Sequence, residues 1–173
     1  MEKYVPDIYQ KDIYKIDYDN LKSRGIKCLI YDLDNTLVTI TETLPREETK
    51  VLFKNLKDKG FKIFIASNSI KARVKPFHQE LKVDYISSTK KPHTEKVSDL
   101  IIKARFGPDE VAIIGDSMMD DVLCGNTIGI TTVLVDQIAK REFPMARIKR
   151  IKEKRLQKKL RDKDLFTKGR YYV

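Results

Sequence analysis

Residues 26–36 read Ile26-Lys27-Cys28-Leu29-Ile30-Tyr31-Asp32-Leu33-Asp34-Asn35-Thr36, an apolar run rich in β-branched and aromatic residues that halts at two aspartates. A run this short and this apolar predicts a buried strand over 26–32. The same texture returns at 61–66, 84–87, 110–115 and 131–136. Between these runs lie stretches of helical length and period, over 45–59 (with Val51, Leu52 and Leu56), 70–81, 94–106 and 120–127, punctuated by Gly60, Gly107-Pro108 and Gly129. Strand and helix alternate, which predicts an α/β fold: a three-layer sandwich with a central five-stranded parallel sheet and helices on both faces. Ligands of such sheets bind beyond the carboxyl ends of the strands. The stretch 4–21, with Val5, Ile8, Tyr9, Ile13, Tyr14 and Ile16 partly at helical spacing, reads as a packing segment.

The residues just after each strand therefore matter most. Asp32 and Asp34 are alternate residues of an extended segment, so they face one small volume. Two carboxylates that close repel each other, and a divalent cation relieves the repulsion. The second strand is followed by Ser67-Asn68-Ser69, the third by Lys90-Lys91-Pro92, and the fourth by Gly115-Asp116-Ser117-Met118-Met119-Asp120-Asp121. A carboxylate pair alone says little, because acidic residues are common at strand ends. Carboxylates, a hydroxyl, an amide and a lysine ordered along one sheet edge fit phosphoryl transfer. An anionic nucleophile, Asp32, reaches a phosphate ester only if Mg²⁺ and Lys91 offset the oxygen charges. Asp34 is placed to protonate the leaving oxygen and then to activate water.

These four segments resemble the motifs of the haloacid-dehalogenase superfamily of Asp-dependent phosphatases: DLDNT the first, IASN the second, the lysine of KKP the third, GDSMMDD the fourth. The resemblance implies a Rossmann-like core in which Asp32 is the nucleophile and Asp34 the general acid and base. It makes Ser67, with Asn68, the phosphate ligand and Lys91 the charge clamp. Mg²⁺ would be held by a carboxylate oxygen of Asp32, the backbone carbonyl of Asp34 and the side chain of Asp116. Asp121 best fits the acidic position closing the fourth motif, with Asp120 second, and Lys90 shadows Lys91. Over nearly the whole chain, PDIY, RGIK, DLDNTLV, the KP pair and GDSMMDDVLCGNTIGITTVLV resemble the YqeG family of subclass III phosphatases, whose relatives in mitochondria and photosynthetic cells are phosphatidylglycerophosphate phosphatases. The flanking Arg or Cys that some of these relatives carry beside the lysine is missing from KKP.

Spacing excludes a cap domain: 32 residues separate Asp34 from Ser67, and 22 separate Ser67 from Lys90, room for a helix and a strand. An open site suits a lipid headgroup, a polynucleotide end or a protein phosphate. The 173 residues carry 35 Lys+Arg against 25 Asp+Glu, a net charge of +10. The first 136 residues hold 21 of each sign and the last 37 hold 14 basic and 4 acidic, so the excess lies entirely in the tail. A phosphatase core over 1–136 and a basic amphipathic tail over 137–173 follow as expected units. Phe143, Met145, Ile148, Ile151, Leu156 and Leu160 recur along a basic helix expected over 141–163. Three roles fit it: packing its stripe on the core, resting on an anionic membrane surface, or holding RNA, the last weakened by the scarcity of aromatics before Tyr171-Tyr172. No apolar run approaches the ~18 residues of a membrane span. Residues 1–7 lack a secretory pattern, which places the expected protein in the cytoplasm, peripheral on the inner membrane face if the tail binds lipid. His78 and His93 lack ligand-spaced company, and Cys28 and Cys124 read as small buried hydrophobes. The expected reaction is Mg²⁺-dependent phosphomonoester hydrolysis, with phosphatidylglycerophosphate as the foremost substrate. Nucleotides, sugar phosphates and polynucleotide ends, or a non-catalytic RNA- or ribosome-associated role, are the alternatives.

Overall fold

A computed structural model describes residues 1–140 and 143–173. In chain order the elements are β1 (Ile8–Gln10), α1 (Tyr18–Ser23), β2 (Cys28–Tyr31), α2 (Glu47–Asp58), β3 (Lys62–Ala66), α3 (Lys71–Leu81), β4 (Asp84–Ile86), α4 (Glu95–Lys103), β5 (Val111–Gly115), a π-type turn (Met118–Val122) running into α5 (Leu123–Ile128), β6 (Thr131–Val135) and α6 (Pro144–Asp162). The strands pair in parallel in the order β1-β6-β5-β2-β3-β4. The order reverses at β2, so the carboxyl ends of β2 and β5 flank the crevice where such sheets bind ligands. The segment between β2 and α2 carries no inserted domain.

The sheet has six strands, where the sequence pattern predicted five. The addition is β1, within the N-terminal stretch read as packing. Three residues are too few to show strand alternation, and β1 is defined by its partner: Ile8, Tyr9 and Gln10 align with Val133, Leu134 and Val135. The Asp7 carboxylate fixes this edge by accepting the Thr132 N–H at 2.8 Å.

Side-chain alternation builds the layers. Leu29 and Tyr31 of β2 join Phe53 and Leu56 of α2 and Val74 and Phe77 of α3 in one core. Cys28 and Ile30 point the other way, toward Val97 and Ile101 of α4 and Cys124 of α5. Both cysteines are buried free thiols.

The tail folds back on this second face. Leu160 and Phe166 pack with Tyr9, Leu134, Met118 and Val122, and the backbones of Tyr172 and Tyr9 exchange two 2.9 Å hydrogen bonds. Pro144 opens α6, where its fixed φ and missing N–H cost nothing. The apolar stripe read from the sequence divides along the helix. Leu160 is buried, whereas Met145, Ile148 and Ile151 are 74, 56 and 57 % exposed. Arg141 and Glu142, the start of the helix expected over 141–163, lie outside the described residues. Among those residues no helix is long and apolar enough to cross a membrane.

Candidate active site

The first group of site residues is set by how β2 ends. Asp32 still pairs with the neighbouring strand, its N–H donating to the Ile114 carbonyl at 2.9 Å. The chain then turns tightly, with Leu37 N–H on the Leu33 carbonyl at 3.0 Å and Asn35 at φ 62°, a left-handed conformation that asparagine tolerates better than most residues. This turn aims the Asp34 carboxylate at α3. Ser69 Oγ donates to one of its oxygens at 2.7 Å, and Arg73 donates to the other through Nη2 at 2.8 Å and Nε at 3.1 Å. Arg73 also donates to the carbonyls of Thr39 and Glu42, tying the loop before α2 to the same carboxylate.

Lys91 sits between two carboxylates. Its Nζ donates to Asp32 Oδ1 at 2.8 Å, Asp121 Oδ1 at 2.6 Å and the Ala66 carbonyl at 2.7 Å. The residue is 2 % exposed. A lone ammonium so buried costs several kcal/mol, so three oxygen acceptors, two of them charged, are what hold it there. Burial alone pulls the Lys91 pKa down, but the Asp121 and Asp32 carboxylates outweigh it and keep the group firmly protonated. Asn68 fastens the lysine's loop: its Oδ1 accepts the Lys91 N–H at 2.7 Å and the Thr89 hydroxyl at 2.6 Å. Lys90 is exposed and does not line the cavity. Ser67, buried, lines it together with Asn68.

At the end of β5 the absence of a side chain is decisive. A Cβ added to Gly115 would overlap the Asp121 carboxylate. Ser117 caps the turn that follows, its Oγ accepting the Asp120 N–H at 3.1 Å, and the Ser117 N–H donates to Asp121 Oδ2 at 3.2 Å. The turn thereby folds Asp121 back against Asp32. One carboxylate oxygen each from Asp32, Asp116 and Asp121 lies within 4.8 Å of the other two. Three hard oxygen donors this close suit a divalent cation such as Mg²⁺. Burial, opposed by Lys91, pushes the Asp32 pKa well above the usual carboxylate range. Burial also raises Asp116 to about 6 against the pull of Arg150. Concentrated, desolvated negative charge of this kind calls for cations.

A second group of residues comes from α6. The Arg150 guanidinium meets Asp116 Oδ2 at 2.5 Å and Glu153 Oε2 at 3.1 Å. Glu153, 1 % exposed, accepts the Met118 N–H at 2.7 Å and the Ser117 hydroxyl at 3.3 Å. Lys149 reaches Asp120 Oδ1 at 2.9 Å. Phe143, Met145, Ala146, Lys149, Arg150 and Glu153 thus complete a cavity of about 270 Å³ whose floor is Asp32, Asp34, Ser67, Lys91, Asp116 and Asp121. Sequence reasoning passed over Arg73, Arg150 and Glu153, and it named Ser69 beside the site without a role of its own. A signal did exist for Glu153: it is the lone acid between Phe143 and Arg161, three residues after an arginine. His78 is occupied elsewhere, its Nδ1 against the Val83 carbonyl at 2.6 Å.

Comparison with known proteins agrees with this geometry. Residues 3–129 match the family model described as a hydrolase, haloacid dehalogenase-like hydrolase. The chain is 32 % identical to the probable phosphatase YqeG of Bacillus subtilis over 160 residues, 92 % of this chain and 93 % of that protein. It is 26 % identical to the chloroplastic and mitochondrial phosphatidylglycerophosphate phosphatase 1 of Arabidopsis thaliana, covering 81 % of this chain and 43 % of that protein. Among solved structures, the cobalt-bound deoxy-D-mannose-octulosonate 8-phosphate phosphatase of Haemophilus influenzae shares the fold with a TM-score of 0.52. It is 18 % identical, over 67 % of this chain and 81 % of that one. The matched length, and four strand-end segments that converge on one cavity, establish that the chain belongs to the haloacid dehalogenase-like hydrolases and is a phosphatase of that family.

Proposed function

We propose that the protein hydrolyses phosphomonoesters through an aspartyl-phosphate on Asp32, with Mg²⁺, and that its substrate is phosphatidylglycerophosphate, converted to phosphatidylglycerol at the inner face of the cytoplasmic membrane. One observation carries the chemistry: the buried Lys91 ammonium lies 2.8 Å from Asp32, one of three clustered carboxylates that line a cavity. Lys91 takes Oδ1 of Asp32, which leaves Oδ2 for phosphorus. As the Asp32–phosphorus bond forms and the bond to the leaving oxygen breaks, Asp34 gives that oxygen its proton. Asp34 then takes a proton from the water that attacks the aspartyl-phosphate, releasing phosphate and restoring Asp32. Ser69 and Arg73 hold the Asp34 carboxylate at the cavity wall. Ser67 and Asn68 donate to the phosphoryl oxygens. A divalent ion held by Asp32, Asp116 and Asp121, with the Asp34 carbonyl, would neutralise charge on the transferring group.

Residues 1–136 carry the groups that do the chemistry; of 137–173, the inward residues Lys149, Arg150 and Glu153 help line the cavity and the outward ones meet the substrate's surroundings. The lipid assignment is supported by the likeness to the plant phosphatase, by the absence of an inserted domain over the cavity and by the basic tail. Purified protein with Mg²⁺ would be offered phosphatidylglycerophosphate in mixed micelles, nucleotides, sugar phosphates and 3′-phosphorylated RNA. Preferential release of phosphate from the lipid, lost in Asp32→Asn, is expected. Preference for a soluble phosphate would overturn the substrate, and turnover surviving in Asp32→Asn would overturn the mechanism.

A further inference from the structure

Among the described residues, seven of the fourteen exposed large apolar side chains gather near one end of the sheet, and the other seven, Ile102 and Val51 among them, are scattered. Leu44, Ile70 and Ile138 belong to segments that follow the carboxyl ends of β2, β3 and β6, and Phe143, Met145, Ile148 and Ile151 belong to the entry and first half of α6. These segments surround the catalytic cavity, and Phe143 and Met145 line it while remaining exposed. Clustered exposed apolar groups around one opening mark a contact surface, whereas scattered ones need no explanation.

The cations of α6 sort by face. Lys149 and Arg150 turn inward to Asp120 and Asp116. Arg147, Lys152, Lys154, Arg155, Lys158 and Lys159 are exposed, and the outer line Ile148, Ile151, Arg155, Lys158 follows the 3-4-3 spacing of one helical stripe. Inward residues of α6 are therefore used by the site, while its outer face pairs an apolar ridge with unscreened positive charge. That combination fits a surface offering both anionic headgroups and hydrocarbon.

We infer that the rim of the catalytic cavity, with the outer face of α6 as its main contact, docks on an anionic lipid bilayer through Ile148 and Ile151 and the basic residues behind them. The cavity mouth then lies against the headgroup layer, so a phosphate carried by a lipid enters without leaving the bilayer. This deepens the lipid-phosphatase reading and rests on it for the purpose of docking, but the contact itself requires no turnover.

The test uses the full chain and vesicles free of phosphomonoester lipid, one set of phosphatidylcholine with phosphatidylglycerol and one of phosphatidylcholine alone. Flotation should recover the protein with the anionic vesicles, and recovery should fall as salt rises. The double variant Ile148→Ser/Ile151→Ser, which leaves the cavity lining untouched, should lose at least about tenfold in vesicle affinity while hydrolysing a soluble aryl phosphate at the parental rate. Arg155→Glu/Lys158→Glu should weaken binding by a similar factor. Equal binding of parent and both variants, or no binding to anionic vesicles, would overturn the inference. So would tighter, competing binding of RNA, or a dimer in light scattering that the isoleucine variant splits. Failure of the lipid as substrate in micelles, with vesicle binding intact, would instead count against the substrate alone.

Discussion

The two walls of the catalytic cavity are built differently. On one, the strand ends and the loops and turn just beyond them deliver Asp32, Ser67, Lys91, Asp116 and Asp121. On the other, α6 delivers Lys149, Arg150 and Glu153 from a helix 19 residues long, anchored near its far end by Leu160 and by Phe166 just beyond it. The strand-end wall is acidic and the helix wall mostly basic. The surplus of positive charge in the tail is thus divided between closing the site and facing outward, and the difference separates groups that carry the chemistry from groups that hold them.

The largest effect should come from the strand-end wall. Asp32→Asn removes the nucleophile and should lower phosphate release with Mg²⁺ by at least about 10³-fold. Its fold should survive, because the amide keeps an acceptor for the Lys91 ammonium and Asp121 and the Ala66 carbonyl still hold it. Calorimetric melting beside the phosphate assay separates these outcomes, and a variant that lost activity only by unfolding would blur the distinction between the walls. Next is Gly115→Ala. Its methyl group would displace the Asp121 carboxylate, which Lys91 needs, so we expect a loss of about 1–3 kcal/mol of stability in denaturant titration together with a fall in activity.

The helix wall should respond through metal binding and stability. Glu153→Ala leaves the Met118 N–H without its acceptor and takes from Arg150 its contact with Glu153. A buried donor left without its acceptor costs about 1–3 kcal/mol, and loss of a group that orients a metal ligand typically lowers metal affinity about 10-fold or more. Titration calorimetry with Mg²⁺ reads the second effect. Glu153→Gln, which keeps an acceptor for Met118, should recover part of the stability. An unchanged Mg²⁺ affinity in both variants would show that α6 packs beside the site without shaping it.

The same division explains what the sequence made legible. Strand-end residues could be assembled from one dimension because a parallel sheet collects all its carboxyl ends at one edge whatever the details of packing. The segments that carry Asp32, Ser67, Lys90-Lys91 and Asp116 were therefore placed together by topology alone. The choice of Lys91 over Lys90 rested on resemblance, and the structure puts Lys91 inside and Lys90 in solvent. β1 was missed because a three-residue edge strand has no internal period, and its pairing is decided by Thr132 and Val133 far along the chain. Arg150 and Glu153 were missed for a related reason. A helix in a basic run shows its period but not its docking angle, and only the packing of Leu160 under Tyr9 and Met118 turns Glu153 toward the loop after β5. Arg73 drew no reading from the sequence, since it is the turn at Asn35 that brings Asp34 to it.

The smallest effect belongs to the outer edge of the helix wall. Lys149 reaches Asp120 at 2.9 Å, but its side chain is 43 % exposed, against 18 % for Arg150. A surface pair of this kind contributes about 0–1 kcal/mol, because water solvates both charges when they part. Lys149→Ala should therefore shift stability by less than about 1 kcal/mol and leave Mg²⁺ affinity at the parental value, in contrast to Glu153→Ala. Adding salt should narrow even this difference, since screening acts on the exposed pair far more than on the buried one. If Lys149→Ala instead matched Glu153→Ala in lost Mg²⁺ affinity, the positive charge of α6 as a whole, and not the Arg150–Glu153 contact, would be what holds the acidic wall in place.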